Sequence, residues 1–196
     1  MRPVPNSLAA ALFLTIAFVL AGLAHAAWLR TPLSRRLMMP LDGGLRFRDR
    51  RLFGENKTVR GFVVMVPAAA LAFACLAATL SVSSLDRALE LWPLSIAGYG
   101  AVGAWAGLGF MAGELPNSFV KRQLDIAPGS APRGWGAAVI CLVVDRVDSI
   151  LGALIALSIV VPTPPMMWVY LLLIGPGIHL AFSALLYRWG VKARAA

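Results

Sequence analysis

The stretch Ala137 to Val161, AAVICLVVDRVDSILGALIALSIVV, decides how the chain is read. It is long and apolar enough for a helix that crosses the hydrocarbon of a bilayer, which takes about 20 residues. Yet Asp145, Arg146 and Asp148 sit inside it. If the helix enters the membrane near Ala137, a rise of about 1.5 Å per residue puts Asp145 about 12 Å along it and Asp148 about 17 Å. Each ionised group near a helix centre costs about 2.5–3.5 kcal/mol on the insertion scale, so three cost about 7–10 kcal/mol. A cost of that size rivals the whole stability of an ordinary domain. Something bound or paired must offset it.

The rest of the chain has the same character. Of 196 residues, 59% are hydrophobic and 14% charged, against about a quarter charged in soluble domains. Five apolar runs stand out, at about 7–29, 61–80, 94–113, 137–161 and 166–187. Trp28, Trp92, Trp135, Trp168 and Trp189 fall near their ends, where indole rings anchor at headgroups. The expected fold is an all-α integral membrane protein, one membrane-embedded domain over 1–196 with about five transmembrane helices. Ala24 and Ala26 form an A-x-A pattern near the end of the first run, as at a signal-peptidase site. The arginines that follow resist translocation, and the run reads as a retained helix. Cys75 and Cys141 fall inside spans with no metal spacing and read as packing residues, as do His25 and His179.

The formal charge of +9 does not point to nucleic acid, because the basic residues cluster beside apolar runs. Segment 30–60 carries Arg30, Arg35, Arg36, Arg46, Arg48, Arg50, Arg51, Lys57 and Arg60; segment 114–136 carries Lys121, Arg122 and Arg133; the tail carries Arg188, Lys192 and Arg194. Only Arg2 and Arg87 lie on the other side. The positive-inside bias therefore places the loops 30–60 and 114–136 and the C-terminus in the cytoplasm of a cell (inner) membrane. Long loops are where function concentrates, so the active site is expected on the cytoplasmic face.

Asp145 and Asp148 are three positions apart and share a helix face. Two converging carboxylates resist joint ionisation unless a cation lies between them. Oxygen ligands alone favour Mg²⁺. Glu114, at the cytoplasmic end of the third run, is a candidate third metal ligand. Mg²⁺ commonly bridges carboxylates to phosphate, and a phosphate cradle is visible on the same side. The first inner loop ends LFGENKTVRGF, Leu52 to Phe62, with Asn56, Lys57, Thr58 and Arg60 at the start of a span. Free N–H groups and the helix dipole are expected to help there, with Thr58 as N-cap. Asp42, in PLDGGLRFRDRR, is a further candidate. The second inner loop, GELPNSFVKRQLDIAPG, adds Ser118, Lys121 and Arg122 at helical spacing. Gly103, Gly107, Gly109 and Gly113 suit close helix contact.

Together, LDGGLRFRDRRLFGENKTVRGF, GELPNSFVKRQLDIAPG and VDRVDSILGAL resemble the CDP-archaeol synthase family over roughly residues 40–152. That family consists of five-span, CTP-dependent cytidylyltransferases distantly related to CDP-diacylglycerol synthases. Ser118, Lys121-Arg122 and Asp145-Arg146-Val147-Asp148 also look like the end of the CDP-diacylglycerol synthase signature. Glu114 stands where the archaeal type usually has Asp, and Val59 where it often has Trp. Asp145-Arg146 resembles the diacylglycerol branch, whereas Ala127-Pro128 replaces the Lys-Asp of that branch.

The resemblance implies that CTP and a lipid phosphate, of archaeol or phosphatidic acid type, react to give a CDP-lipid and pyrophosphate in phospholipid biosynthesis. Asp145, Asp148, Lys57 and Lys121 would be the catalytic set. Asp42, Asn56, Lys57, Thr58, Arg60, Ser118, Lys121, Arg122 and Arg146 would bind the nucleotide and its phosphates. Asp145, Asp148 and possible ligand Glu114 would hold Mg²⁺. An ion-coupled transporter using the intramembrane Asp pair is the alternative; the absence of internal repeats and the single charged span speak against it. A non-catalytic protein that binds anionic lipid heads through loop 30–60 would explain the arginines but not the buried acids.

Overall fold

Asn6 starts the first helix: its Oδ1 accepts from the N–H groups of Leu8 and Ala9, each at 3.1 Å. In the computed structural model, which describes residues 3–83, 85–130 and 132–190 and all their side chains except those of Asp86 and Arg87, this helix is α1, Ser7–Leu29. Arg2, Lys192, Arg194 and the Arg87 side chain, all used above to orient the chain, lie outside the described residues. Next come α2 (Pro32–Arg35), a hairpin of β1 (Arg46–Phe47) and β2 (Arg50–Arg51), and α3 (Val59–Val82). The chain continues with α4 (Leu85–Ala88), α5 (Ile96–Gln123), α6 (Trp135–Val160) and α7 (Pro165–Arg188). The hairpin is antiparallel, pairing Arg46 with Arg51 and Phe47 with Arg50.

Helices α1, α3, α5 and α7 are each long and apolar enough to cross a membrane. Helix α6, at 26 residues, has the length but carries Asp145, Arg146 and Asp148. The chain is an integral membrane protein of mostly helical fold. Helix α1 is part of its core, with Ala10, Ala11, Phe13, Leu14, Ala17 and Ala21 buried.

In lipid there is little hydrophobic drive between helices, so close packing of small residues does the work. A Cβ on Gly103 would come within 2.6 Å of the Ala69 carbonyl oxygen, which fixes α5 against α3. A Cβ on Gly152 would come within 2.2 Å of the Gly109 oxygen and 2.6 Å of the Gly113 Cα, so α5 and α6 touch backbone to backbone. Aromatic rings fill the rest: Phe13 and Phe73 meet edge to face at 5.4 Å, and Phe18 stacks on Phe110 at 5.1 Å.

Two expectations need correction. The second inner loop does not begin at residue 114. Helix α5 runs 28 residues, Pro116 included, and carries Glu114 to Gln123 onward in one continuous helix. Its length of about 42 Å exceeds a hydrocarbon core of about 30 Å. Pro116 costs only one backbone hydrogen bond, at a place where a kinked helix is tolerated in membrane proteins. Trp92 is also not a headgroup anchor. It is 3% exposed and donates Nε1–H to the Pro162 carbonyl at 2.8 Å, tying the loop before α5 to the end of α6.

Candidate active site

The glycine contact sets the register that builds the site. Along α5, Gly109, Gly113, Asn117 and Lys121 recur every four residues, so they share the face turned to α6. Asn117 Nδ2 donates to Asp145 Oδ1 at 2.5 Å and to Asp148 Oδ2 at 2.8 Å. Lys121 pairs with both oxygens of Asp145. Asp148 Oδ1 accepts from the Ser149 N–H at 2.7 Å, and the Ser149 hydroxyl donates to Glu114 Oε1 at 2.8 Å. Glu114 Oε2 pairs with Lys57 at the end of the first inner loop. Lys57, Glu114, Ser149, Asp148, Asn117, Asp145 and Lys121 thus form one continuous polar chain across α3's entry loop, α5 and α6.

The two aspartates converge on one point, the Asn117 nitrogen. A donor shared by two acids occupies the place a cation would take. Their oxygens therefore fit a hard divalent ion that keeps part of its water shell. Among the described residues no three acidic, His or Cys side chains gather into one ligand set. Glu114, expected as a third ligand, is held by Lys57 and Ser149 instead.

The first inner loop is built around Asp42. Gly43 and Gly44 take left-handed φ values of 53° and 88°, which L-residues rarely adopt. The turn they make lets Asp42 Oδ1 accept from the Gly44 N–H at 3.0 Å. Asp42 Oδ2 accepts from Phe53 and Gly54 at 3.1 and 3.0 Å, and Arg51 pairs with Oδ1. Burial alone would push this carboxyl up, but the Arg51 guanidinium and the three N–H bonds hold it well below the usual carboxylate range. Its side chain is 0% exposed, so Asp42 shapes the loop and turns no oxygen to a nucleotide.

The expected cradle of free N–H groups at the start of α3 is closed. The carbonyls of Met39 and Leu37 accept from Val59 and Arg60 at 3.0 and 3.2 Å, and Leu41 donates to the Lys57 carbonyl at 2.8 Å. Thr58 occupies the N-cap position without a side-chain cap bond. Thr58 and Ser118 are each 7% exposed, which turns them toward packing.

The two inner segments meet. Arg50 pairs with Asp125 and bonds the Gln123 carbonyl, and Phe47 lies 6.0 Å from Phe119. A Cβ on Gly54 would touch Arg122 Cδ at 3.3 Å, and one on Gly129 would sit 4.0 Å from Asn56 Nδ2. Asn56 is exposed beside this junction, and Arg60 is half-buried at the start of α3. Two guanidiniums of the expected set hold buried nitrogens without a hydrogen-bond partner: Nε and Nη1 of Arg122, and Nη2 of Arg146. Such donors can take up a partner, a water or an anion. His25 and His179 lie within electrostatic reach of Glu114. Asn117 and Ser149 were not singled out from sequence. The four-residue spacing of Asn117 from Gly113 and Lys121 was the available signal for the first.

The CarS-like family, described as CDP-archaeol synthase, matches residues 36–195. The CDP-archaeol synthase of Methanosphaerula palustris is 31% identical over 78% of this chain and 87% of its own length. That of Halobacterium salinarum is 32% identical over 78% and 81%. That of Methanopyrus kandleri is 35% identical over 66% and 62%. A solved structure, described as giving structural insight into an intramembrane enzyme for archaeal membrane lipids biosynthesis, matches with a TM-score of 0.58. It is 27% identical and covers 85% of this chain and 90% of that one. A transporter finds no support among these relatives. With the family model spanning most of the chain and the paired acids at its centre, the chain belongs to the CarS-like CDP-archaeol synthase family and is a membrane lipid cytidylyltransferase.

Proposed function

We propose that the chain is a single membrane-embedded domain in which α6 is the fourth of five spans, and that its site faces the cytoplasm and joins CTP to a lipid phosphate. A phosphate oxygen of the lipid, of archaeol or phosphatidic acid type, bonds to the α-phosphorus of CTP. The bond from that phosphorus to the bridging oxygen breaks, and its electron pair leaves with pyrophosphate. A phosphomonoester is largely dianionic near neutral pH, so no strong general base is required. Positioning and charge neutralisation carry the rate, as in phosphoryl transfer generally.

Asp145 and Asp148 hold Mg²⁺ in this reading. An ion held there would supply charge neutralisation for the triphosphate and its leaving group. Lys57 and Lys121 exchange their carboxylate partners for phosphate oxygens, and the orphaned nitrogens of Arg122 and Arg146 receive others. Asn56, beside Gly129 where the two inner segments meet, and Arg60, on the first turn of α3, would add further contacts to the nucleotide. The observation that carries the reading is the convergence of Asp145 and Asp148 on one point, the Asn117 nitrogen.

The test is an assay of the purified chain in detergent with labelled CTP, Mg²⁺ and both lipid phosphate types. CDP-lipid and pyrophosphate formed in equal amounts, and lost in Asp148→Asn, are the expected result. No product with either lipid would overturn it. Labelling of single cysteines placed in loop 30–60 and near residue 130, in sealed spheroplasts, tests the orientation: protection from an impermeant reagent is expected.

A further inference from the structure

The reaction just described needs Asp145 and Asp148 to converge, and their like charges oppose that. Lys121 neutralises Asp145, whereas among the described residues Asp148 receives neutral donors only, from Asn117 and from the Ser149 N–H and hydroxyl. We propose that Asn117 is the positioning residue that keeps the two aspartates converged while no cation is bound, and that it sets the cation affinity of the site. The proposal rests on the metal-holding role given above to the Asp pair.

The geometry supports this from both helices. Asn117 lies one turn beyond Gly113, whose missing Cβ would fall 2.4 Å from the Asp148 carbonyl oxygen. The α5 backbone is therefore pressed against α6 at that turn, and the short Asn side chain is enough to reach both acids. The amide is also two-faced. Its nitrogen donates to carboxylates, and a half-turn about χ2 presents the carbonyl oxygen, a hard ligand, to the same point. Leu at this position offers neither. Asp adds a third carboxylate to the set and cannot donate to the other two.

The experiment is Mn²⁺ binding to the full chain in detergent, read by electron paramagnetic resonance, with no nucleotide or lipid present. Loss of an outer-shell or orienting partner typically weakens metal binding about 10–100-fold. Asn117→Leu is expected to weaken Mn²⁺ binding by about tenfold or more, and Asn117→Asp to tighten it. Should Asn117→Leu fail to fold, Asn117→Ser, which stays polar but is too short to donate to both acids, is read in its place with the same expected weakening. Binding that is lost in Asp148→Asn yet unchanged in the Asn117 variants would overturn the role of Asn117. No binding in the wild type, or binding that survives Asp148→Asn, would overturn the cation reading itself and the proposal with it.

Discussion

Lys57 and Glu114 stand 57 positions apart in the chain and share an ion pair. Each side chain is 23% exposed, so the pair lies between the value of a surface bridge and that of a buried one. It ties the first inner loop to α5 directly beside the aspartates. Lys57→Ala and Glu114→Gln should therefore be non-additive, with a coupling of about 0.5–3 kcal/mol in unfolding free energy. A double-mutant cycle followed by denaturation in detergent measures this. Additive single effects would show that the loop is held elsewhere.

Asp148→Asn separates stability from activity. It removes an ionised group from a helix interior, where such a group costs about 2.5–3.5 kcal/mol, and the Asn oxygen still accepts from Asn117. Turnover should fall by about 10²–10³, while the melting temperature in detergent stays level or rises. A variant that loses both together would mark Asp148 as a structural residue.

The α5–α6 contact makes a steric prediction with its own control. Gly152→Ala puts a methyl group 2.2 Å from the Gly109 oxygen and 2.6 Å from the Gly113 Cα. Overpacking of this kind costs about 1–3 kcal/mol, and it pulls Asn117 away from the acids, so activity should fall with it. Gly136 on α6 has nothing within 4 Å of an added Cβ. Gly136→Ala should be neutral or stabilising by about 0.5–1 kcal/mol. Melting curves and turnover of the two variants side by side check the contrast.

Asp42 sets the acid limit of the first inner loop. Its folded pKa is depressed below the usual range. The stability it contributes is thus fully present above the unfolded value, about 3.9, and is lost as pH falls from there toward the folded one. Hydrogen exchange of residues 40–58 should stay slow from neutrality down to about pH 4.5 and quicken only below the ordinary carboxylate range. In Asp42→Asn the loop should exchange faster throughout and lose this acid step.

Apolar run length made α1, α6 and α7 legible within a residue or two, because a helix crossing hydrocarbon must satisfy its own backbone. The same rule failed at the inner end of α5. Once the chain leaves lipid, polar residues no longer mark an end, and the helix runs on through Pro116 to Gln123. The hairpin was hidden as well, since its turn places Arg48 and Asp49 at φ values of 52° and 61° without a glycine. At the site, the ionisable residues were legible as burial anomalies. Asn117 and Ser149 were not, because neutral polar side chains in a helix cost little and announce nothing. Asp42 looked like a ligand because its loop composition resembles a binding turn, and only the backbone path reveals that its oxygens face inward.

With the Leu37 and Met39 carbonyls sealing the first turn of α3, that turn offers no rigid amide nest, and any hold on a phosphate there falls to side chains. Lys57 and Lys121 are largely buried and already paired with carboxylates, so an anion must displace an acid to reach them. Under the proposed function, dissolved ions would compete for the same side chains, and nucleotide binding should weaken as ionic strength rises.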